Sequence, residues 1–387
     1  MHILEIPSFF PPYGGLFCLD QAKALQVLGH EVRILSNVQL GMTIGWKDYL
    51  TLPKHRYEHE MEGILVYQSY QRGIPKVIRH NVKRWVDIVC SMFEEYVKKY
   101  GMPDVLHAHC VKWAGYAAMK ISEKYHIPYV ITEHLPKEIY QVEFGEAPSR
   151  AWQIPLLKQA LRQANKVITV SEELVDDLSC YFGEDYQHTT VSNMIDTDFF
   201  AYRERQPVES RPFTFCCPAV YVERKGYDVL LAAFSQLYHK HPDVALLIAG
   251  QGTDGMTFRR MMERSGGQLP VTCYGTLDKE GVRQMYYNSD AMVLATRGES
   301  QGLVLLEAMS TGIPVISTEA IPLSVRVKEG ASYIPVDDVG ALVNAMEKIV
   351  SHSYDGQQLS QQVSDFASPR VIGQQIEAVL RTSLHTV

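Results

Sequence analysis

Two glutamates, Glu299 and Glu307, stand eight residues apart in a stretch whose pattern could carry chemistry. Glu299 falls in a polar loop, and Glu307 lies about one and a half turns inside the helix that follows. Both would face the space beyond the carboxyl end of a strand, where open α/β sheets bind ligands. Free backbone N–H groups at the helix start, near 302–304, favour an anion. This combination suits a nucleoside diphosphate sugar; the alternative is a solvated helix with two ordinary glutamates.

The elements that must hold these side chains follow from the pattern around them. The stretch predicts in order a buried strand, a loop, a helix and a second strand: Ala291–Ala295, Thr296–Gly302, Leu303–Thr311 and Val315–Ser317. Gly312 supplies the C-terminal cap of the helix, and Pro314 prevents its continuation. The stretch is therefore a strand–loop–helix–strand unit of a parallel sheet.

Length and composition limit the classes of protein. A chain of 387 residues with 46% hydrophobic residues can bury two cores, which indicates two domains. A net charge of −7 argues against a nucleic-acid partner. Seven cysteines without paired spacing are typical of a reducing compartment. We see neither a signal peptide nor an apolar run long enough to span a bilayer, so we expect a cytoplasmic protein.

The first half opens with a βαβ pattern and a glycine turn, Gly14-Gly15, before the first helix. The turn lacks Gly-x-Gly-x-x-Gly, which argues against an NAD-dependent dehydrogenase. A glycine pair in this position allows the backbone to approach a ligand closely, although a plain turn is the alternative.

Two predicted strands of the first half end in histidines. One ends in His107-Ala-His109-Cys110, and the next in Thr132-Glu-His134. Because both strands end at the same edge of the sheet, His109 and His134 are candidates on the acceptor side, with His109 the weaker of the two; the alternative for His134 is a hydrogen-bonded structural histidine. His-x-His could bind a metal, but the sequence shows no further ligand beside it, so we predict no metal.

Residues 74–100 predict a long amphipathic helix whose first turns are basic. Such a helix could rest on anionic lipid, while a core-packed helix with a solvated basic face is the alternative. The preceding segment, 41–73, has no pattern that predicts a structure. A polar stretch at 199–212 predicts the linker between the domains.

The second half places Arg224, Lys225 and Gly226 where a strand meets a helix, which suits a diphosphate, with a surface charge pair as the alternative. Gly250 and Gly252 form a second turn of close approach after the following strand. Asp196-Thr-Asp198 lies in the linker context, and we assign no metal to it.

The eighteen residues from Glu299 to Ile316 resemble the Glu-x7-Glu signature of the retaining glycosyltransferases of family 4, which have the GT-B fold. The resemblance implies that Glu299 contacts the donor hexose, that Glu307 holds the ribose hydroxyls, and that the residues between them, Ser300, Gln301, Gly302 and Leu303, line the donor. The family often has an aromatic residue where Gln301 stands, so the sugar is not implied.

The same resemblance extends to other segments. It implies that Gly14 and Gly15 approach the donor phosphates, that His134 is the active-site histidine, and that Lys225 clamps the diphosphate. The family arginine lies five residues before that lysine, where this chain has Val220, so Arg224 is our candidate replacement. Leu277 would contact the nucleobase. The family transfers its sugar without a bound divalent cation.

We therefore expect two Rossmann-like domains that face each other across a cleft: an acceptor-side domain, 1–200, a donor-binding domain, 201–366, and a terminal helix, 367–387, that crosses back to the first. The expected activity is transfer of a hexose from a UDP- or GDP-sugar to a hydroxyl of a glycan or lipid-linked acceptor, with retention at the anomeric carbon and no cofactor. His134, Glu299 and Lys225 would be catalytic. The alternatives are an epimerase or phosphorylase of the same fold, or a non-catalytic nucleotide-sugar sensor. The basic helix 74–100 could place the enzyme at the inner face of the membrane.

Overall fold

The computed structural model describes residues 1–41, 46–52, 55–145, 148–204, 211–266 and 268–384. The chain divides into two compact units: unit 1 is Met1–Met194 with Pro369–Val387, and unit 2 is Ile195–Ser368. Residues 205–210 of the predicted linker lie outside the described residues, as do 42–45 and 53–54 of the segment 41–73. No helix in the described ranges combines the length and apolar character needed to cross a bilayer.

Unit 1 is built on a sheet with the strand order β3-β4-β2-β1-β5-β6-β7-β8, in which β3 is antiparallel to β4 and the other described pairs are parallel. The strands are β1 (His2–Pro7), β2 (Glu31–Leu40), β3 (Tyr57–Met61), β4 (Ile64–Arg72), β5 (Val105–His109), β6 (Tyr129–Glu133), β7 (Lys166–Thr169) and β8 (His188–Thr190). The helices that accompany them are α1 (Leu16–Val27), α2 (Trp46–Thr51), α3 (Ile78–Tyr100), α4 (Tyr116–Tyr125), α5 (Lys137–Tyr140), α6 (Ile154–Gln163) and α7 (Glu173–Phe182).

Helix α3 begins four residues later than the sequence predicts. Pro75 disfavours helical geometry at Ile74, and Lys76 has a positive φ of 65°, so the helix starts only at Ile78. From Val82 onward the predicted apolar stripe is buried, whereas Ile74 and Ile78 are exposed. The predicted helix is therefore correct in its buried face and wrong in its first turn.

Unit 2 has a fully parallel sheet in the order β11-β10-β9-β12-β13-β14. Its strands are β9 (Phe213–Pro218), β10 (Val244–Ala249), β11 (Val271–Cys273), β12 (Ala291–Val293), β13 (Val315–Thr318) and β14 (Ala331–Ile334). Its helices are α8 (Tyr227–Lys240), α9 (Met256–Arg264), α10 (Lys279–Tyr287), α11 (Leu303–Ser310), α12 (Val339–Ser351) and α13 (Gly356–Ala367). Helix α14 (Pro369–Ser383) follows and packs on α1 within unit 1.

Each sheet reverses its winding once, and a ligand binds at such a switch point in open α/β sheets. In unit 1 the switch is at β1: the next strand along the chain, β2, lies on one side of it, and β5 lies on the other. In unit 2 the same happens at β9, between β10 and β12. The predicted α/β class with two Rossmann-like sheets is confirmed, and the carboxyl ends of β1, β5, β9 and β12 are the places to look for sites.

Candidate active site

The loops that follow β9 and β12 meet at the switch point of unit 2. The backbone N–H of Arg297 donates to the carbonyl of Arg224 over 2.7 Å, and the Thr296 hydroxyl donates to the same oxygen over 3.1 Å. Gly226 follows with a φ of +62°, and a Cβ there would lie 1.8 Å from the carbonyl oxygen of Ala295. Only glycine allows the two loops to approach this closely.

That approach brings together three charged side chains that the sequence singles out. The Lys225 ammonium donates to one carboxylate oxygen of Glu299, and the Arg224 guanidinium lies 3.4 Å from the other. Arg224 also donates to the carbonyl of Gly298. The side chains of Lys225 and Glu299 are 13% and 11% exposed, so water screens the cluster only partly. Two cations against one carboxylate leave a positive site, which can receive an anion.

Arg297, which the sequence analysis did not single out, braces the loop that carries Glu299. It pairs with Asp228 and Asp337 over 2.7 Å each and donates to the carbonyl of Glu223 over 2.7 Å. The long-range carboxylate partners of this arginine gave no signal in the sequence. Its contacts hold the loop against the turn 223–225, which carries Lys225, and against the first turn of α8.

Glu307 is held by a tyrosine that sequence reasoning also missed. The buried Tyr286 hydroxyl, from α10, donates to Glu307 over 3.0 Å. Burial, with the nearby charge of Glu307, raises the pKa of Tyr286 well above its ordinary value, so the phenol remains a donor. This hydrogen bond occupies one lone pair of the Glu307 carboxylate and fixes the orientation of the carboxylate. The Glu307 side chain remains half-buried.

The remaining donor-side predictions lie at the same edge of the sheet. Gly302 is the N-cap of α11 with a φ of +82°, where a Cβ would lie 2.8 Å from Ile321. Gln301 is buried, while Ser300 and Leu303 are half-buried. Gly250 has a φ of +138°, and its Cβ would lie 2.0 Å from the carbonyl oxygen of Ala219.

Gly252 and Leu277 follow strands β10 and β11. Gly252 has a φ of +88°, and Leu277 packs half-buried against the core of unit 2. The geometry shows why glycine is needed in these turns. It does not test which residues touch a ligand, so their binding roles stay predictions.

In unit 1 the predicted histidines join a buried hydrogen-bonded chain. His134 Nε2 lies 3.1 Å from His109 Nδ1, and His109 Nε2 lies 2.6 Å from a carboxylate oxygen of Glu5. His107 Nδ1 lies 3.0 Å from the same oxygen, and its Nε2 lies 2.7 Å from the hydroxyl of Thr132. Glu5, His107 and His109 are 0% exposed and His134 is 7% exposed, so the whole chain is shielded from water.

Glu5 was missed, although the sequence carries a signal for it. It stands between apolar residues in a strand that the pattern marks as buried, and a buried carboxylate requires partners. Burial raises the pKa of Glu5, but the charge of His107 and hydrogen bonds from both histidines outweigh burial and lower that pKa to about 2. Burial lowers the pKa of His109, and it lowers that of His134 well below the ordinary value.

A second buried carboxylate, Glu133, fixes the turn that carries His134. One of its oxygens accepts the backbone N–H of His134 over 3.0 Å and that of Leu135 over 2.9 Å. Its other oxygen accepts the N–H of Val111 over 2.8 Å, which ties the end of β6 to the end of β5. Phe17, from α1, stacks on the imidazole of His134 with ring centroids 4.0 Å apart. His134 is therefore held at its backbone, its ring face and its ring edge.

Glu5, His107 and His109 also form a set that could hold a metal ion, since one atom from each lies within 4.8 Å of the others. The third group that the sequence analysis did not find beside His-x-His is thus Glu5. The distance of 2.6 Å between His109 Nε2 and Glu5 is that of a hydrogen bond. Two ligands of one tetrahedral zinc ion would stand about 3.3 Å apart.

A cavity of about 400 Å³ opens at the carboxyl ends of β1 and β2, beside the first turns of α3. Its walls include aromatic residues and a charged cluster: Phe9, Phe10, Tyr13, Trp85, Trp113, Lys112, Glu143, Arg150 and Gln153. Lys112 Nζ donates to Glu143 over 2.6 Å, and the buried Gln153 presents a side-chain oxygen that has no partner among the described residues.

The glycine turn lies nearby in the chain. Gly14 and Gly15 have φ values of +108° and +79°, and a Cβ on Gly15 would lie 2.0 Å from the carbonyl oxygen of Phe9.

Comparison with known proteins agrees with both halves of this description. The model for Glycosyltransferase Family 4 matches residues 14–199, and that for Glycosyl transferases group 1 matches residues 198–366. Glycogen synthase of Mycobacterium tuberculosis is 26% identical, over 90% of this chain and 86% of its own. D-inositol 3-phosphate glycosyltransferase of Pseudarthrobacter chlorophenolicus is 25% identical, over 84% of this chain and 78% of its own.

Anabaena HepE, solved in complex with UDP and glucose, superposes with a TM-score of 0.73 at 16% identity, covering 99% of this chain and 100% of that one. A likeness at that identity shows the fold alone, and the fold is GT-B. The two adjacent family models together span residues 14–366. The chain is therefore a glycosyltransferase that belongs to family 4.

Proposed function

We propose that the protein transfers a hexose from a nucleoside diphosphate sugar, UDP- or GDP-linked, to a hydroxyl group of a glycan or lipid-linked acceptor, with retention at the anomeric carbon. The observation that carries the proposal is the cluster of Lys225, Arg224 and Glu299 at the switch point of unit 2. Its two cations would bind the diphosphate, and Glu299 would accept hexose hydroxyls once the nucleotide draws Lys225 away.

The difficult step is loss of the nucleoside diphosphate. The bond between the anomeric carbon and the phosphate oxygen breaks, and negative charge develops on that oxygen. Lys225, Arg224 and the N–H groups at the start of α11 would stabilise this charge, and one such donor is worth about 3 kcal/mol in the barrier. The acceptor oxygen bonds to the same face of the sugar, and its proton passes to the released phosphate. Because side chains supply the positive charge, we expect transfer to persist in EDTA.

We assign the donor to unit 2 and the acceptor to unit 1, where the cavity has the features of a saccharide site. Aromatic walls pack against apolar sugar faces, and Gln153, Lys112 and Glu143 offer hydrogen-bond partners. The two relatives differ in their names between glycogen and inositol 3-phosphate, so the family does not fix the acceptor. The variant Gln153→Leu should lower transfer while leaving the Kd of the donor unchanged.

The cavity lies beside an exposed basic and apolar segment, which supports a lipid-linked acceptor. Ile74, Val77 and Ile78 are 43%, 46% and 36% exposed, and Arg79, Lys83 and Arg84 are exposed around them. Such a segment can bind anionic lipid and place the protein at the cytoplasmic face of a membrane. The triple variant Arg79→Ala, Lys83→Ala, Arg84→Ala should no longer float with anionic liposomes; flotation equal to wild type would refute membrane contact.

The deciding experiment combines ligand screening with product analysis. One nucleotide among UDP, GDP and ADP, or its sugar, should stabilise the protein by about 2.7 kcal/mol at one hundred times its Kd. With that donor and a membrane extract, the labelled hexose should appear in glycan or glycolipid. Isomerised donor would support an epimerase, and release of sugar phosphate without an acceptor a phosphorylase. Binding with no turnover would support a non-catalytic sensor.

A further inference from the structure

A second cavity of unit 1, of about 210 Å³, shares no lining residue with the larger one described above. Three arginines line it, and each comes from a different part of the unit: Arg56 precedes β3, Arg72 ends β4 and Arg84 lies in α3. The buried residues Ser69 and Tyr70 of β4 also line it. No aspartate or glutamate is among the described residues that line this cavity.

The cavity lies against an open edge of the sheet. Strand β3 pairs with β4 only as far as Gln68, whereas β4 continues to Arg72. Residues 69–72 therefore form an edge that β3 does not cover, and an edge strand presents N–H groups that have no strand partner. Backbone donors at this edge can add to the guanidinium groups.

Two of the arginines have part of their hydrogen-bonding capacity occupied. Arg56 forms an ion pair with Glu95 on α3 and donates to the hydroxyl of Ser91 over 3.0 Å. Arg72 donates from Nε and from one amino group to two carbonyls of α2, over 2.5 and 2.8 Å. A guanidinium has five N–H donors, so both arginines keep donors for a ligand.

The third arginine, Arg84, is exposed and has neither a hydrogen-bond nor an ion-pair partner among the residues that the structure describes. Three guanidinium groups at one cavity face a single paired carboxylate, that of Glu95, so two positive charges remain unbalanced. Like charges that share a cavity repel each other, and a bound anion would offset that repulsion. The alternative is a solvated basic surface without a ligand.

We propose that Arg56, Arg72 and Arg84 form a binding site for a phosphate group, separate from the diphosphate site of unit 2. The planar fork of a guanidinium matches the oxygens of a phosphate, and several such groups can share one phosphate. The phosphate can belong to a soluble ester or to a lipid headgroup. The site rests on the geometry of unit 1 alone, and a lipid as its source rests on the proposed membrane contact.

The site can be observed directly in the full chain labelled with ¹⁵N-arginine and titrated with inorganic phosphate. Arg84→Gln and Arg56→Gln assign the two Nε–H signals by their loss. Both signals should shift in wild type and give the same Kd, because one ion contacts both groups. If neither signal shifts across a millimolar titration, or if the two give different Kd values, the proposal is overturned.

Two neighbouring residues of α3 separate a site from a general basic field. Arg84 lines the cavity and Lys83 does not, although both are exposed and both lose one positive charge on substitution by glutamine. The Kd of inorganic phosphate, followed at the Arg56 signal, should rise about tenfold in Arg84→Gln and stay near wild type in Lys83→Gln. Equal effects of the two variants would overturn the proposal.

Removal of the competing carboxylate should have the opposite effect. Glu95→Gln releases the guanidinium of Arg56, so inorganic phosphate should bind about fivefold more tightly. The control is Glu94→Gln, which loses the same charge one position away, where the carboxylate pairs with Lys124 over 2.6 Å. Unchanged or weaker binding in Glu95→Gln, or an equal gain in Glu94→Gln, would overturn the three-arginine site.

Flotation identifies the source of the phosphate. Vesicles of phosphatidylcholine are compared with vesicles that also contain phosphatidylglycerol. Flotation that needs phosphatidylglycerol, and that Arg84→Gln weakens more than Lys83→Gln does, supports a lipid headgroup. Arginine signals that shift with inorganic phosphate, without any flotation, support a soluble ester and refute only the membrane contact. Absence of sugar transfer would refute the proposed function and leave the phosphate titration unaffected.

Discussion

The sheets of the two units share the order of their central strands and differ in the chemistry at their carboxyl ends. In unit 2 the carboxyl edge carries Lys225, Arg224 and Glu299, which are partly exposed and lie on loops held together by Gly226 and Arg297. In unit 1 the same edge carries Glu5, His109 and His134, which are buried in strands or directly after them.

The difference shows how one fold serves two tasks. Partly exposed charges can exchange partners, so an incoming diphosphate can replace the carboxylate that Lys225 now contacts. A buried chain cannot exchange its partners at low cost, so it holds its side chains in one arrangement. We therefore expect substitutions in unit 2 to act on ligand binding and turnover, and substitutions in the buried chain of unit 1 to act on stability and orientation.

The largest effect should come from Lys225→Ala. Loss of the ammonium removes stabilisation of the leaving phosphate, and turnover should fall about 100- to 1000-fold with little change in folding. Steady-state kinetics with the selected donor measures kcat. The control is Lys240→Ala, which breaks a 2.8 Å ion pair with Glu347 on the surface of unit 2 and should leave kcat unchanged. Equal kcat in Lys225→Ala and wild type would show that the Lys225 ammonium does not stabilise the leaving phosphate.

Glu307→Ala should act on binding instead of turnover. The carboxylate that Tyr286 orients would accept ribose hydroxyls, and hydrogen bonds to a charged group are worth about 1.5–3 kcal/mol, so the Kd of the donor should rise about 10- to 100-fold. Calorimetric titration gives the Kd, with Glu347→Ala as the control. A wild-type Kd would remove Glu307 from the site.

Gly226→Ala tests whether the approach of the two loops requires glycine. The positive φ alone costs about 1–2 kcal/mol for alanine, and the contact with the carbonyl of Ala295 adds to it, so the free energy of unfolding should fall by at least about 2 kcal/mol. Urea unfolding measures the change. Gly340→Ala lies at an exposed position in the first turn of α12, where the added Cβ would meet only the Asp338 side chain at an ordinary contact distance of 3.5 Å, so it should be neutral or slightly stabilising. Equal stabilities of the two variants would show that the loops are not held as described.

The pH dependence of stability should report on the buried histidines of unit 1. Burial lowers the pKa of His109 and His134 in the folded protein, so below about pH 6.5 the unfolded chain binds more protons than the folded one. The free energy of unfolding should fall as the pH drops from 7.5 to 5.5, and His134→Gln should make that slope shallower. His352→Gln, at an exposed position in unit 2, should not. If His134→Gln left the slope of unfolding free energy against pH unchanged, the pH dependence would come from groups other than His134.

Local patterns were sufficient for much of the fold. Apolar runs bounded by glycine and proline located β12, α11 and β13 to within two residues, because both strands are buried over their whole length and most of α11 is buried. The start of α3 was misplaced because apolar spacing continues through Ile74 while Pro75 and Lys76 interrupt the backbone. The hairpin of β3 and β4 was missed, since its strands alternate poorly between apolar and polar residues.

The candidate site was predicted only as far as it is local in sequence. Glu299, Glu307 and Lys225 belong to short motifs, and the structure brings Lys225 into contact with Glu299. Tyr286, Arg297 and Glu5 complete the arrangement from strands and helices far away in the chain, and such pairing depends on topology. The cavity of unit 1 was missed for the same reason, because its lining comes from many separate segments.

In the proposed function, the switch point of unit 2 binds the activated sugar. The most direct measurement is a crystal structure of the protein with the UDP-, GDP- or ADP-hexose that gives the largest thermal shift. We expect the diphosphate to contact Lys225 and Arg224, the hexose to lie beside Glu299, and the ribose to lie at Glu307. A nucleotide bound elsewhere, with Lys225 still paired to Glu299, would contradict it.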